Sequence, residues 1–230
     1  MKAAIIEYKY YTNGASANNV LIENAIYDDV CKEVIVSNHP IANNRKKILL
    51  NHTNKGKDIG AKLIGIDYLL NTNNQFDLLI LLHDKRSPHS PLGNYWANEL
   101  TKIFRSPYWE IVKTELTKEK TGICCSANYI KSEYDEKSKK FLSSNNDLLQ
   151  NLISKYNLHA AYPYFFVAGT IFCCKWKPVQ QFFTNNPPLK IRALLEKGNV
   201  QDTDNGTFTH SWERLFSWII TSQGYTIKGL

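Results

Sequence analysis

Residues 76–82, FDLLILL, decide the fold, and residues 83–96, HDKRSPHSPLGNYW, direct attention to function. A continuous apolar run of this length, bounded by polar residues, reads as a strand buried on both faces of a parallel sheet. In open α/β sheets, ligands collect outside the carboxyl ends of such strands. This run ends in His83, Asp84, Lys85, Arg86 and Ser87, and Pro88 and Pro91 stiffen the loop beyond them. A single polar residue would be enough to return the chain to water. A loop this rich in donors, held by prolines, has the character of a preorganised ligand site. Asp84 could hold a divalent cation with His83 as a second ligand. Lys85 and Arg86 could neutralise phosphates directly.

On the N-terminal side, KAAIIEY (2–8), CKEVIVSN (31–38) and KKILLN (46–51) read as strands. Between the first two, ANNVLIENAIYDD has helical spacing. DIGAKLIGIDYLL carries Ile59, Leu63, Ile66 and Leu70 on one helical stripe, and Asp58 stands where an N-cap would. On the C-terminal side, a helix is expected from Tyr95 to Phe104, a strand at TGICCSA (121–127), a helix at 145–156 and a strand at VAGTIFCCKW (167–176). PVQQFF and LKIRALLEKG read as helical, and THSWERLFSWIITSQG (209–224) as an amphipathic helix stopped by Gly224. Residues 131–147 are charged and loop-like, as in a surface insertion. Strands and helices alternate through the first 130 residues, which predicts an α/β fold with a mainly parallel sheet. No internal repeat or long linker divides the 230 residues, so a single domain is expected.

A hydrophobic content of 43% and a charged content of 21% are those of a globular protein. The net charge of +7 favours anionic partners. The basic residues are dispersed, however, with no basic helix or aromatic stripe interleaved with cations, so nucleic acid is not the expected partner. Cys124–Cys125 and Cys173–Cys174 lack C-x-x-C spacing and sit in strand-like runs, which predicts buried reduced thiols in a cytoplasmic protein. No signal peptide is visible and no apolar run approaches a membrane span. The expectation is a soluble protein, peripheral at the inner membrane face at most.

Two further stretches carry chemistry. HTNKGKDIGAKL (52–63) places Gly56 and Gly60 around Lys57 and Asp58 at the entry to a helix. Glycine lets backbone amides approach a phosphate or sugar, and the helix N-terminus adds partial positive charge. The spacing is neither a Walker A loop nor a dinucleotide fingerprint. NVQDTDNGTFTHSWERLFSWI (199–219) sets Asp202 and Asp204 before a turn at Gly206, then His210, Glu213 and Arg214 within reach of one another on a helix. An acidic side chain there could be a general base for an acceptor hydroxyl.

Taken in order, NKGKDIGAKL, H-D-K-R-S-P-H followed by G-N-Y-W, FFVAGTIFCCKW and DNGTFTHSWERLF resemble the rhamnan synthesis protein F family over about residues 50 to 220. The resemblance implies a GT-A-like, Rossmann-related glycosyltransferase. Its nucleotide-sugar-binding half would be about residues 1–125 and its acceptor-binding half about 126–230. By position, Asn54, Gly56, Asp58 and Gly60 match the family's first segment, and His83, Lys85, Ser87 and Trp96 its loop. Gly169 and Thr170 match a later strand, and Gly206, Thr207, His210, Glu213 and Arg214 its last helix.

The implied donor site is Asn54, Gly56, Lys57, Asp58, His83, Asp84, Lys85, Arg86 and Ser87. The acceptor site is Trp96, Gly169, Thr170, His210 and Arg214. Glu213 would be the base of an inverting transfer, with Asp204 as runner-up. The donor would be a nucleotide-diphosphate sugar of rhamnose or galactofuranose type. The acceptor would be a growing bacterial surface glycan, free or lipid-linked. GT-A enzymes usually carry a D-x-D motif where this chain reads H-D-K. A divalent cation (Mn2+ or Mg2+) would therefore rest on Asp84 with His83 or His210, or Lys85 and Arg86 would stabilise the diphosphate without one. A noncatalytic glycan- or polyanion-binding domain of the same fold is the alternative.

Overall fold

The computed structural model describes residues 1–10, 24–40, 47–72, 75–84, 93–202 and 204–230. In chain order the first elements are β1 (Ala3–Lys9), a one-turn helix α1 (Asn24–Tyr27), β2 (Val30–Ser37), β3 (Ile48–Asn51), α2 (Lys57–Leu70) and β4 (Leu78–His83). Next come α3 (Gly93–Thr101), α4 (Tyr108–Thr117), β5 (Thr121–Cys125) and the two-residue strands β6 (Ile130–Lys131), β7 (Tyr134–Asp135) and β8 (Lys140–Phe141). The rest are α5 (Asn146–Tyr156), β9 (Phe166–Val167), β10 (Phe172–Lys175), α6 (Trp176–Asn185), α7 (Pro188–Leu194), α8 (Phe208–Thr221) and β11 (Thr226–Gly229).

Seven strands form one sheet in the order β11-β5-β10-β4-β1-β2-β3. β10 runs antiparallel to both its neighbours, and the other pairs are parallel. The fold is a single α/β domain of GT-A-like architecture. β4 is the middle strand and is buried at every residue. Leu79 and Leu81 join the core that holds Leu63 and Ile66 of α2 and Trp212 of α8, whereas Leu78, Ile80 and Leu82 join the core of Leu100, Trp109 and Val112 on the other face. The apolar run is therefore continuous because both of its faces are covered. The cysteine pairs divide the same way, Cys125 and Cys174 to one core and Cys124 and Cys173 to the other. All four are free thiols. Burial pushes the Cys124 thiol up to about 12, so it is held in the unreactive protonated form.

Four expectations need correction. The strand expected over 167–176 is two strands, because the chain turns at Gly169 (φ +83°) and Thr170 (φ +48°) between β9 and β10. That turn is what brings Thr170 to the candidate site. Asp58 is not the N-cap of α2. The helix starts at Lys57 behind Gly56 in a left-handed conformation, with no side-chain cap, and Asp58 lies inside the first turn with its carboxylate turned to other partners. Residues 131–147 are more than a loop, since β6 pairs with β9 and β7 with β8. Helix α4 and strand β11 add to the expected elements. α4 buries Trp109, Val112 and Leu116 at helical spacing, and β11 is a four-residue strand at the end of the sheet. Of the helix expected between the first two strands, residues 24–29 fall within the described residues, and Asn24–Tyr27 of these are helical.

Candidate functional site

β4 ends at His83, and α2 and α8 each begin beside that end. Lys57, Asp58, Ile59, His83, Gly169, Thr209, His210 and Glu213 line a cavity of about 180 Å³ there. Six of these eight residues are ones the sequence singled out, drawn from both halves of the chain. Larger depressions exist, one of about 680 Å³ beside the amino ends of β1 and β4 and one of about 520 Å³ beside Tyr162 and Phe165. Chemistry, not size, locates the site, because acid, base and cationic groups converge at the smaller cavity, at the carboxyl end of the central strand.

The floor is a closed polar cluster. Lys62 has no exposed surface. Its ammonium donates to Asp58 Oδ2 at 2.7 Å and to the Thr170 hydroxyl, and it stands 3.2 Å from His83 Nδ1. The Thr170 hydroxyl donates in turn to Asp58 Oδ2 at 2.8 Å. Burial alone would raise the Asp58 carboxyl, but the Lys62 and His83 charges and the two hydrogen bonds hold it far below the usual carboxylate range. Asp58 is thus an anion already matched by its own cation.

Gly60, one turn into α2, allows this arrangement. A Cβ there would stand 1.8 Å from the Lys55 carbonyl oxygen. The close approach that glycine permits at this position is to the chain's own backbone. The Gly56 N–H likewise donates to the Glu196 carbonyl. Asn54 ties the same loop to Asn199 and to Tyr8.

The opposite wall belongs to α8. Its first amides are taken up by side chains: the Glu196 carboxylate accepts the N–H groups of Phe208 and Thr209 at 2.7 and 3.0 Å, and Thr207 Oγ1 accepts the His210 N–H at 3.3 Å. Burial would raise Glu196, but the Thr209 hydroxyl and these amides hold it below its ordinary value. The preceding turn is fixed by Asn145, fully buried, whose Oδ1 accepts the Thr207 N–H and the Ser211 hydroxyl while its amide donates to Asp202.

His210 Nδ1 lies 3.0 Å from Asp202 and 2.6 Å from the Thr207 hydroxyl. Burial keeps its pKa below the ordinary histidine value in spite of Asp202. Glu213 accepts the Gly169 N–H at 2.6 Å with one oxygen and Arg214 at 3.0 Å with the other. Arg214, buried and lying over the Phe166 ring, is shared between Glu213 and Glu133, which takes two of its donors. Two carboxylates therefore share one guanidinium, and the wall keeps a net negative charge at the cavity.

The other expected residues lie apart. Asp84 is buried beside β1, where both carboxylate oxygens accept the Tyr10 N–H at 2.9 Å. Trp96 is 37% exposed on α3 and Asp204 is exposed in the turn before α8, and neither lines the cavity. Lys85, Arg86 and Ser87 fall outside the described residues. Among the described residues no three His, Cys, Asp or Glu side chains are grouped to hold a metal ion. No chemical step is routed through a metal.

Sequence reasoning missed Lys62, Asn145, Glu133 and Glu196. For Lys62 the signal was present. It lies four residues after Asp58 and three after Ile59, on the buried stripe of α2. The other three are recognisable only from tertiary contacts.

The model of a family described as rhamnan synthesis protein F matches residues 26–225 of the chain. No curated protein and no solved structure gives a match.

Proposed function

The chain belongs to the rhamnan synthesis protein F family, its role is in polysaccharide synthesis, and from that premise we propose that it is a glycosyltransferase with its reaction centre in the cavity between α2 and α8. One observation carries this reading. A side built from an uncapped helix start, Lys57 and His83 faces a side that presents the Glu213 carboxylate. Glycosyl transfer needs a positive locus for the departing diphosphate and a basic carboxylate near the acceptor.

In this mechanism the donor's phosphates lie against the start of α2, with Lys57 and His83 donating to them. The Lys85–Ser87 stretch, next in the chain after Asp84, is assigned to the same anion. A volume of about 180 Å³ suits the reacting sugar or one phosphate, with the nucleotide outside it. Glu213 removes the proton of the acceptor hydroxyl. That oxygen bonds to the anomeric carbon as the bond to the diphosphate breaks, which inverts the centre and releases the nucleoside diphosphate. Both Glu213 oxygens already accept one hydrogen bond, which fixes the carboxylate in place, and each keeps a further lone pair for the hydroxyl. Glu213 is preferred to Asp204 because it lines the cavity.

The acceptor is a growing glycan of the cell surface. A lipid-linked form of it would be met at a membrane face. No helix among the described residues is long and apolar enough to cross a membrane. Donor half and acceptor half correspond to the α2 and α8 sides of the cavity. The test is turnover of nucleotide-diphosphate sugars by the wild type and Glu213→Gln, with and without chelator. Wild-type turnover that Glu213→Gln abolishes supports the assignment. Binding without turnover in the wild type would favour a noncatalytic glycan-binding domain.

A further inference from the structure

Arg214 is buried on α8, and the transfer mechanism leaves its second carboxylate partner, Glu133, without a task. The guanidinium divides its donors unequally. Its Nε and Nη2 donate to the two oxygens of Glu133, at 3.3 and 2.5 Å, as a planar fork. Its Nη1 donates to the His210 carbonyl at 2.8 Å and to Glu213 Oε2 at 3.0 Å. The guanidinium carbon stands 4.9 Å from the centroid of the Phe166 ring.

Glu133 is presented from a built support. It follows β6, whose Lys131 pairs with Phe166 of β9. The Ser132 hydroxyl before it donates to the Pro163 carbonyl at 3.1 Å, and the Glu133 carbonyl accepts the Leu142 N–H at 2.8 Å. One strand pair thus leads to the carboxylate and carries the ring that together hold Arg214. An ion pair in full solvent contributes little. This one joins a guanidinium side chain 9% exposed to a carboxylate side chain 26% exposed, through two bonds.

We infer that Glu133 is a positioning residue for the Glu213 carboxylate and acts through Arg214. By taking the Nε edge of the guanidinium it limits Arg214 to one bond with Glu213. Glu213 then keeps its other oxygen on the Gly169 N–H at 2.6 Å, and each oxygen keeps a lone pair for the cavity's ligand. Without Glu133, two donors are released beside a carboxylate that already lies 3.0 Å from Nη1. Guanidinium and carboxylate favour a two-bond fork. That fork would draw Oε1 away from Gly169 and occupy the lone pairs the ligand needs. A segment that reads in the sequence as a charged surface insertion therefore reaches the candidate site from 81 residues away in the chain. The inference rests on the glycosyltransferase reading only for what the Glu213 carboxylate does.

The experiment follows the Gly169 N–H in the intact protein. Ala168–Gly169 is the only Ala-Gly step of the sequence, so 13C-carbonyl alanine with 15N-glycine leaves a single amide signal. Glu213→Ala removes the acceptor and marks the unbonded position. Glu133→Gln should carry the Gly169 proton signal most of the way there, because its NH2 group faces the guanidinium and cannot complete the fork. Glu133→Asp keeps the charge and both acceptor oxygens and should leave the signal near its wild-type place. A signal unmoved in Glu133→Gln, or moved as far in Glu133→Asp, overturns the inference. Should the glutamine variant not fold, the aspartate variant decides alone: a signal near the wild type supports the inference, and one near Glu213→Ala overturns it. Adding Arg214→Met to Glu133→Gln should return the signal, since no guanidinium remains to draw Glu213 away. Failure to return would mean that Glu133 does not act through Arg214. Where the wild type turns over, kcat should fall about tenfold or more in Glu133→Gln with the donor KM unchanged. A displaced Gly169 signal with unchanged kcat would count against Glu213 as the base and not against its positioning, so the two failures are distinguishable.

Discussion

Helices α2 and α8 have the same length, 14 residues each, and both begin at the same cavity, yet their first turns are equipped in opposite ways. α2 has no side-chain cap, and its one acidic first-turn residue, Asp58, is engaged inward by Lys62 and Thr170. α8 has its amides occupied by Glu196 and Thr207 and adds Glu213 one turn on. A helix start is electropositive by default. Here α2 begins without a side-chain cap, whereas the amides at the start of α8 are taken up from within the chain. The two sides of the cavity therefore differ in polarity, and under the proposed transfer one would take the leaving anion and the other the acceptor's proton.

The contrast between the two starts depends most heavily on the α2 floor. Lys62→Ala removes a fully buried cation from the partly buried Asp58 and should cost about 3–5 kcal/mol in urea unfolding. A loss below about 1 kcal/mol would mean that the cluster is not an obligate pair. On the α8 side, Glu213→Gln should lower turnover by about 10²–10⁴-fold. Its amide oxygen can keep the Gly169 N–H but its NH2 group then faces the Arg214 guanidinium, so stability should fall by about 1–3 kcal/mol. Unchanged turnover would remove Glu213 as the base.

Behind the α2 floor, His52 packs edge-on against Tyr8 at 5.1 Å. Burial first, then the Arg192 charge, brings its pKa down to about 4. Unfolded, it would take up a proton near its ordinary value, about 6.5. Stability from this group is thus fully present above about pH 6.5, declines as the pH falls to about 4, and is lost below, on the order of 3 kcal/mol in all. Denaturation at pH 7, 5.5 and 4 should show this slope in the wild type and a shallower one in His52→Gln. An equal slope in both would place the proton uptake elsewhere.

Asn145→Ala orphans the Thr207 N–H and the Ser211 hydroxyl at the α8 start and should cost about 1–3 kcal/mol in the same unfolding assay. The smallest effect is expected at Asp204→Asn, within about 0.5 kcal/mol in stability, with turnover unchanged. A large loss of turnover there would exchange its role with that of Glu213.

The parts of this molecule that depend on periodicity could be read from the sequence. FDLLILL declared a strand covered on both faces, and the ends of α2 and α8 were placed to within a few residues, because amphipathic stripes and flanking glycines are local signals. Asp58, His83, His210 and Glu213 were legible as chemistry because they cluster in polar stretches at element ends. Their partners were not. Whether Asp58 caps a helix or neutralises Lys62 depends on Thr170, 112 residues away. Whether Glu213 stands alone depends on Glu133, reached through Arg214. The Gly169 turn looked like strand because the residues on either side of it are apolar and β-branched, and only the backbone angles reveal the break.

On this account one cavity takes an activated sugar on its α2 side and deprotonates an acceptor on its α8 side. The deciding measurement is thermal unfolding of the wild type and Glu213→Gln against a panel of nucleoside diphosphates and nucleotide-diphosphate sugars, since a ligand that binds the folded state raises the melting temperature by mass action. Selective stabilisation by one donor, equal in both proteins, is the predicted result. No stabilisation by any of them, together with a shift on polyanions that salt erases, would contradict it.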